Sequence, residues 1–233
     1  MGMILGRISE EMPKHVVVHR TAHYEVWRYT SSSVAAVVHA IDLKDPKTNE
    51  IPTDERFTGM AFGMLARYIG VFGNPQNEAS STGSHEAIAM TAPVIMDPPS
   101  TCKEKIAMTA PVIMDPADGT SSAAGSAMKF LLPSKYQTLE ETPKPTNPAV
   151  KLEIVPAGRC EAVRTFSGNF NMKRASEEAT NFLEVLKQDE EMIKVIGEWT
   201  AQGYNPPFTL PFLKRSEIHV PVDPAPFEGK SLN

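Results

Sequence analysis

The chain has 233 residues, of which 41% are hydrophobic and 22% charged, a composition typical of a globular protein that buries a core. Lys and Arg number 23 against 28 Asp and Glu, so the formal net charge is −5. This charge argues against nucleic acid or an anionic membrane as a partner. The two cysteines, Cys102 and Cys160, cannot form a disulfide framework, and the first residues lack the pattern of a secretory or transit peptide. We therefore expect a cytoplasmic protein.

In chain order, the hydrophobic patterns predict seven main strands and two helices. The strands are expected over 16–27, 34–41, 128–132, 150–155, 160–166, 192–199 and 217–222, and the helices over 54–69 and 173–187. The segments 150–155 and 160–166 are expected to form a hairpin. Strands outnumber helices without regular βαβ alternation, which favours an α+β fold with a mostly antiparallel sheet.

An internal repeat lies between the first helix and the strand at 128–132. Residues 86–98 read EAIAMTAPVIMDP and residues 104–116 read EKIAMTAPVIMDP, so only Ala87 and Lys105 differ. Proline at 93 and 111 predicts an edge strand or a strand that stops early in each copy. We interpret the repeat as a local duplication that lengthens one hairpin, because no polar cluster accompanies it.

The helix over 54–69 is apolar on both faces. One face carries a normal core stripe, made of Phe57, Met60, Ala61, Met64 and Tyr68. The opposite face carries small or apolar residues where a solvated helix has charges, namely Gly59, Phe62, Gly63, Ala66 and Ile69, with Arg67 at the border. Either another part of the protein covers this face, or it forms a ligand groove.

A proline-rich loop over 203–215 bears on that choice. It contains Phe208, Leu210 and Phe212, followed by Lys214 and Arg215. Beside the helix, such a loop would complete an apolar cleft with a cationic rim, which suits a flat apolar molecule with carboxylates.

Six ordered motifs are similar to those of the SOUL heme-binding protein family. They are YEVWRY (24–29), ARYIGVFGN (66–74), IAMTAPV (88–94 and 106–112), MKFLLPS (128–134), FSG (166–168) and YNPPFTLPFLKRSEI (204–218). The doubled IAMTAPV and the FTLPF loop resemble cytosolic plant and algal members. The resemblance implies a distorted, barrel-like antiparallel sheet with two helices, built from two similar halves. It also implies one domain over 13–222, with the repeat insertion at about 86–127, an N-terminal extension 1–12 and a tail 223–233.

The resemblance further implies reversible binding, buffering or transport of heme or a related tetrapyrrole, without catalysis. Heme-using or heme-degrading enzymes would be delivery partners. The implied contacts and the loop together give the predicted site: Gly59, Phe62, Gly63, Ala66, Arg67, Phe208, Leu210, Phe212 and Lys214. Some members have a histidine, proposed as an iron ligand, where this chain has Arg28, so axial ligation at that position is not expected. The alternatives are an enzyme that degrades a tetrapyrrole or removes its metal, and a protein-interaction module using the apolar face of helix 54–69.

The histidines do not predict a metal site. His15, His19 and His23 are spaced by four residues, but the β-branched sequence around them favours a strand, in which four residues span about 13 Å. His39 is expected to be partly buried, and His219, between Ile218 and Val220, is expected to face outward. No motif combines a nucleophile with a general base, so no catalytic residue is predicted.

Overall fold

The computed structural model describes residues 10–79, 83–98, 125–168, 171–205 and 213–231. Three residues of the predicted site, Phe208, Leu210 and Phe212, lie outside these ranges, as does the second copy of the repeat.

The described residues form two α-helices and a curled antiparallel sheet of nine strands, which confirms the α+β prediction. The helices are α1 (Asp54–Ile69) and α2 (Met172–Gln188). The strands are β1 (His15–Arg20), β2 (Glu25–Tyr29), β3 (Ser33–His39), β4 (Asn77–Glu78), β5 (Val94–Asp97), β6 (Ala127–Leu131), β7 (Lys144–Pro145), β8 (Lys151–Val155), β9 (Cys160–Ser167), β10 (Thr200–Gly203) and β11 (Arg215–Val222). The large sheet has the order β1-β2-β9-β11-β10-β5-β6-β3-β8, and β4 pairs with β7 separately.

The topology contains two similar halves, as the family resemblance implies. One half runs β3-α1-β5-β6 and the other runs β9-α2-β10-β11. In each half the last strand lies between the first and the second. The halves meet where β5 pairs with β10, at the middle of the sheet. This seam brings the side chains of both halves beside the N-terminal part of α1.

Both helices pack on the same face of the sheet. Met96 of β5 lies in the core cluster under α1, and its cross-strand partner Ala201 of β10 lies in the cluster under α2. Directly paired residues point to the same side of a sheet, so the two cores are continuous across the seam. Phe57 and Leu65 anchor α1, and Phe182 anchors α2.

The opposite face of the sheet is also buried, although neither helix lies on it. Val37 and Ile95 belong to one apolar cluster on that face, and Trp27 and Tyr29 to another. The curl of the sheet into a half-barrel encloses these side chains. Strand residues therefore have few solvent-facing positions near the centre of the sheet.

Local sequence signals account for the helix ends. Thr53 precedes α1, and Gly70 ends it in a left-handed conformation, with its N–H bonded to the carbonyl of Ala66. The Asn171 side chain accepts a hydrogen bond from the N–H of Arg174 at 2.8 Å and caps α2. None of the helices in the described ranges is both long and apolar enough to cross a membrane.

Three strand predictions were wrong in detail. The segment 16–27 is a hairpin of β1 and β2, because the Thr21 hydroxyl accepts the N–H of Tyr24 and turns the chain. Strands β8 and β9 do not pair with each other, since β8 joins β3 and β9 joins β2 and β11. The strand expected over 192–199 starts at Thr200 instead.

For the first repeat copy, the structure decides between the two predicted alternatives. The copy is not at an edge of the sheet, because β5 lies between β10 and β6. It is a short strand of four residues, and Pro93 precedes it and so leaves its ladder intact.

Candidate functional site

Helix α1 is turned so that one narrow stripe faces outward. Gly59 and Arg67 are exposed and Gly63 is half-buried, while Phe62 is half-buried against the core and edge-on to Phe130, with ring centroids 5.5 Å apart. Ala66 is fully buried. The buried stripe of α1 is thus rotated about the helix axis, by roughly a sixth of a turn, relative to the stripe predicted from the sequence. The rotation brings Ala66 and Ile69 into the core.

A cavity of about 390 Å³ lies between α1 and the neighbouring ends of β10 and β11. We call it the α1–β10 cavity. Its walls are mostly apolar: Phe62 on the helix side, and Val94, Met96 and Met128 on the sheet. The full lining is Thr58, Gly59, Phe62, Val94, Met96, Met128, Gly203, Tyr204, Asn205, Lys214, Arg215 and Ser216. The volume lies in the range of small-molecule sites.

The lining of the α1–β10 cavity includes two cationic residues. Lys214 and Arg215 both line it, and Arg215 is about one-third exposed. The Arg215 guanidinium is held in place by the Glu217 carboxylate, with Nε to Oε1 at 2.7 Å, and by the ring of Tyr204, 5.0 Å away. Because side chains alternate along β11, the Arg215 side chain lies on the same side of the sheet as Glu217, which is the side without helices.

The structure brings together three of the predicted site residues, Gly59, Phe62 and Lys214, in the lining of this cavity. Gly63 and Arg67 lie on α1 outside the lining, and Ala66 has no exposed surface to offer a ligand. Sequence reasoning missed the sheet residues Val94, Met96 and Met128, together with Tyr204. These residues come together because β5 pairs with β10, and no local sequence pattern predicts this long-range pairing.

A second cleft lies between α1 and α2. It comprises a cavity of about 900 Å³ and an adjoining one of about 570 Å³, which share Asp54, Met172 and Lys173. Glu177 and Glu198 add further negative charge to the larger one. A ligand with carboxylates would meet repulsion there, so the α1–β10 cavity suits such a ligand better.

Comparison with known protein families identifies the family of this chain. The family model described as "SOUL heme-binding protein" matches residues 10–104 and 99–221, nearly the whole chain. The chain belongs to the SOUL heme-binding protein family. No curated protein matches the chain in sequence.

Solved structures resemble this SOUL protein in fold at very low sequence identity. The structure titled "Cryo-EM structure of EcmrR-DNA complex in EcmrR-RPo" aligns with a TM-score of 0.50 and 9% identity, over 88% of this chain and 59% of that chain. This SOUL protein therefore spans less than two thirds of that relative's length. A structure titled "Crystal structure of an uncharacterized conserved protein from Listeria innocua" aligns with a TM-score of 0.47 and 14% identity, over 92% of this chain and 93% of that one.

Behind the cavity, this SOUL protein contains a buried network of charged side chains on the face without helices. The prediction that His219 faces outward was wrong, because the residue is fully buried. Its Nδ1 lies 2.8 Å from Glu161 and its Nε2 lies 2.9 Å from Glu217. Arg159 pairs with Glu161 at 3.0 Å, and the Tyr204 hydroxyl donates to Glu217.

The network holds its members in their charged forms. Burial alone would raise the pKa of Glu161, but His219 and Arg159 lower this pKa by more than burial raises it, to about 2. Burial also raises the pKa of Glu217, but this effect is outweighed by His219, Tyr204 and Arg215, which lower the pKa to about 2. Burial lowers the pKa of His219, but the two carboxylates outweigh it and raise that pKa above its ordinary value. The imidazolium therefore joins two carboxylates, and Glu217 in turn holds the Arg215 guanidinium.

Two other positions considered for iron or metal binding, Arg28 and His15, make contacts within the protein. Arg28 donates to the carbonyls of Phe227 and Lys230 at 3.0 and 2.9 Å, so it anchors the C-terminal segment. His15 stacks on Trp27 with ring centroids 3.9 Å apart. Within the described ranges, no cluster of His, Cys, Asp and Glu could hold a metal ion.

Proposed function

We propose that this SOUL protein reversibly binds heme or a related tetrapyrrole in the α1–β10 cavity, and so buffers or carries it in the cytoplasm. The observation that carries the proposal is a mostly apolar cavity whose lining includes Lys214 and Arg215. The apolar wall suits the porphyrin plane, and a cationic residue of the lining suits a propionate. Delivery to heme-using or heme-degrading enzymes belongs to the same proposal.

The two glycines of α1 support a flat ligand. A Cβ added at Gly59 or Gly63 would meet none of the described residues within 4 Å, so packing among those residues does not require glycine at either position. Each glycine costs the helix about 1 kcal/mol relative to alanine. A planar molecule that lies close to the helix backbone gives these residues a function. In this arrangement the ligand extends from the cavity over Gly59 towards Gly63 and Arg67.

The apolar contact alone is sufficient for weak binding. Removing roughly 400 Å² of apolar surface from water gains about 10 kcal/mol, and association costs at least about 4 kcal/mol. The difference corresponds to a Kd of roughly tens of micromolar, which each propionate contact to a cation improves. The described lining offers the Met96 and Met128 sulfurs but no imidazole. We therefore expect hemin and metal-free protoporphyrin to bind with similar affinity.

The test is a titration of hemin and protoporphyrin, followed by the Soret band and by porphyrin fluorescence. Phe62→Asp places a charge in the apolar wall and is expected to weaken both ligands at least tenfold. Gly59→Leu fills the cavity and should weaken binding similarly. Gly63→Leu should weaken binding less than Gly59→Leu, because Gly63 lies under the outer part of the ligand and outside the cavity lining. Asn181→Leu is the control, since Asn181 is exposed on α2 and outside the lining, and it should leave binding unchanged.

Other outcomes would contradict the proposal. Absence of any spectral change up to about 100 μM ligand would exclude tetrapyrrole binding at useful affinity. Unchanged affinity in a folded Phe62→Asp variant would move the site elsewhere. A carrier leaves the heme spectrum stable over hours with a reductant, whereas steady loss of the Soret band would indicate the enzyme alternative. Loss of a protein partner, rather than of ligand, in Phe62→Asp would indicate the interaction alternative.

A further inference from the structure

The cleft between α1 and α2 is larger than the α1–β10 cavity, and the proposed function does not use it. Its two adjoining cavities have volumes of about 900 and 570 Å³, against about 390 Å³ for the α1–β10 cavity. We call it the α1–α2 cleft. We propose that this cleft is a docking groove for a basic amphipathic helix of a partner protein.

The floor of the α1–α2 cleft is one face of α2. Met172, Ser176, Thr180 and Leu183 line it at spacings of four, four and three residues, which places them on the same side of the helix. Met172 and Leu183 lie roughly 17 Å apart along the helix axis, which corresponds to about three turns. The cleft therefore suits an elongated occupant, such as a helix of about 12 residues, better than a compact small molecule.

The middle of this floor is low and has its polar groups satisfied. Ser176 and Thr180 have short side chains between two longer apolar ones, so another helix can approach α2 closely there. The Thr180 hydroxyl donates to the carbonyl of Ser176 at 2.9 Å. Since this hydrogen bond lies within α2, the Thr180 hydroxyl needs no partner on a docked helix.

One wall of the α1–α2 cleft is the segment between α2 and β10. Val195 and Trp199 line the cleft, and Val195 is 40% exposed. The next residue, Ile196, is 59% exposed. The segment thus presents large apolar side chains to solvent beside a charged rim, which is typical of an interaction surface.

The sheet holds this wall in place. Val195 forms an isolated bridge with Val222 of β11, and the N–H of Ile196 donates to the carbonyl of Pro221 at 3.0 Å. The backbone that carries the apolar side chains is therefore positioned before a partner arrives. Such preorganisation reduces the ordering cost of binding.

The charge of the lining determines which kind of helix fits. Lys173 is the only cation in the lining that the structure describes, whereas carboxylates come from both sides of the cleft. The acidic residues are Asp54, Glu55, Glu177 and Glu198. The last three are exposed, so they can contact Lys or Arg side chains at the edges of a docked helix. Opposite charges across an interface speed association and orient the partner.

The α1–α2 cleft adjoins the proposed tetrapyrrole site. Thr58 and Met96 line both the smaller cavity of the cleft and the α1–β10 cavity. A helix docked in the cleft would therefore lie beside a bound tetrapyrrole. The docking proposal rests on the shape and charge of the cleft alone, so it stands or fails independently of tetrapyrrole binding.

The test is a titration of the full chain, without tetrapyrrole, with a model peptide. The peptide has about 14 residues, with leucine on one helical face and lysine on the other. Binding is followed by Trp199 fluorescence, since Trp27 is only 5% exposed. We expect a saturable change that is absent from a Trp199→Phe variant. The same peptide with glutamate in place of lysine should not bind.

Two pairs of variants locate the binding, measured by calorimetry with circular dichroism as the check on folding. Glu177→Lys should weaken the peptide by about tenfold or more, whereas the matched Glu184→Lys should not, because Glu184 is exposed on the same helix outside the lining. Val195→Asp should likewise weaken the peptide by about tenfold or more. Met192→Asp is its control, since Met192 is 42% exposed and outside the lining.

Four outcomes would overturn the docking groove. Equal weakening by Glu177→Lys and Glu184→Lys would mean that the peptide responds only to overall charge. If acrylamide quenches the parent no more than Trp199→Phe, the cleft is closed to solvent. Saturable binding of tetrabutylammonium in the cleft, without binding of the peptide, would assign the cleft to a small cation. A dimer that Val195→Asp converts to monomers would show that a second copy of the chain covers the cleft.

Discussion

His219 and two glycines of α1 illustrate how much of the placement of single residues can be predicted from sequence patterns. The alternation in β11 correctly indicates that His219 points away from Ile218 and Val220, but not that this second face is buried. Burial there follows from the curl of the sheet, which joins residues distant in sequence. For the glycines at 59 and 63, the sequence left two alternatives, a covered helix face or a ligand groove, and in the structure an added Cβ at either position would contact none of the described residues within 4 Å.

Replacing a glycine on the open stripe of α1 should stabilise the protein. We expect Gly63→Ala to raise the free energy of unfolding by about 1 kcal/mol, because alanine is the better helix former and its Cβ would meet no described residue within 4 Å. Urea unfolding followed by circular dichroism measures the change.

The matched control is Gly70→Ala at the end of the same helix. Gly70 has a φ of +89°, and an added Cβ would lie 2.7 Å from Pro75 Cγ, so this variant should be destabilised. A loss of stability in Gly63→Ala would mean that the stripe is covered by another part of the chain.

At the scale of elements, helices were predictable and strand partners were not. The bounds of α1 agree with the predicted range 54–69, and those of α2 differ from 173–187 by one residue at each end. Their signals are local: a 3.6-residue period, a polar residue before the first turn, and a glycine after α1. Strand pairing depends on contacts across more than 100 residues, such as β2 with β9. For this reason the prediction of a hairpin from 150–155 and 160–166 was wrong. The sheet residues that line the cavity were not predicted for the same reason.

The cap of α2 offers a test of element stability. Asn171→Ala removes the acceptor for the Arg174 N–H, and we expect a loss of about 1 kcal/mol in the free energy of unfolding. Asn181→Ala is a suitable comparison, because Asn181 is exposed in the interior of the same helix. Equal effects of the two substitutions would argue against a capping role for Asn171.

At the scale of the whole molecule, the buried charges tie global stability to pH. The folded-state pKa values of Glu161 and Glu217 are about 2, below their ordinary value of 4.5. Their contribution is thus present above pH 4.5 and is lost as the pH falls towards 2. The pKa of His219 is raised, so its contribution is complete below its ordinary value of 6.5 and is lost as the pH rises through the folded-state value.

We therefore expect stability to decline on both sides of a plateau. One fully shifted carboxylate corresponds to roughly 3 kcal/mol on the acid side. Glu161→Gln should make the acid slope shallower and move the alkaline decline to lower pH, because His219 loses one of its two carboxylates. Urea unfolding at intervals from pH 2.5 to 9 measures both slopes. Identical profiles for parent and variant would show that the network does not control the pH dependence.

The position of the β1–β2 hairpin has a consequence for synthesis on the ribosome. This hairpin comes first in the chain, yet it joins the sheet at β9, more than 130 residues later. At about 5–20 residues per second, its partner emerges roughly 7–26 s after the hairpin itself. During that interval Trp27 and Tyr29 have only the residues of β1 beside them and lack Val163 of β9, the third buried member of their cluster, so we expect both aromatic side chains to be more exposed in the nascent chain than in the folded protein.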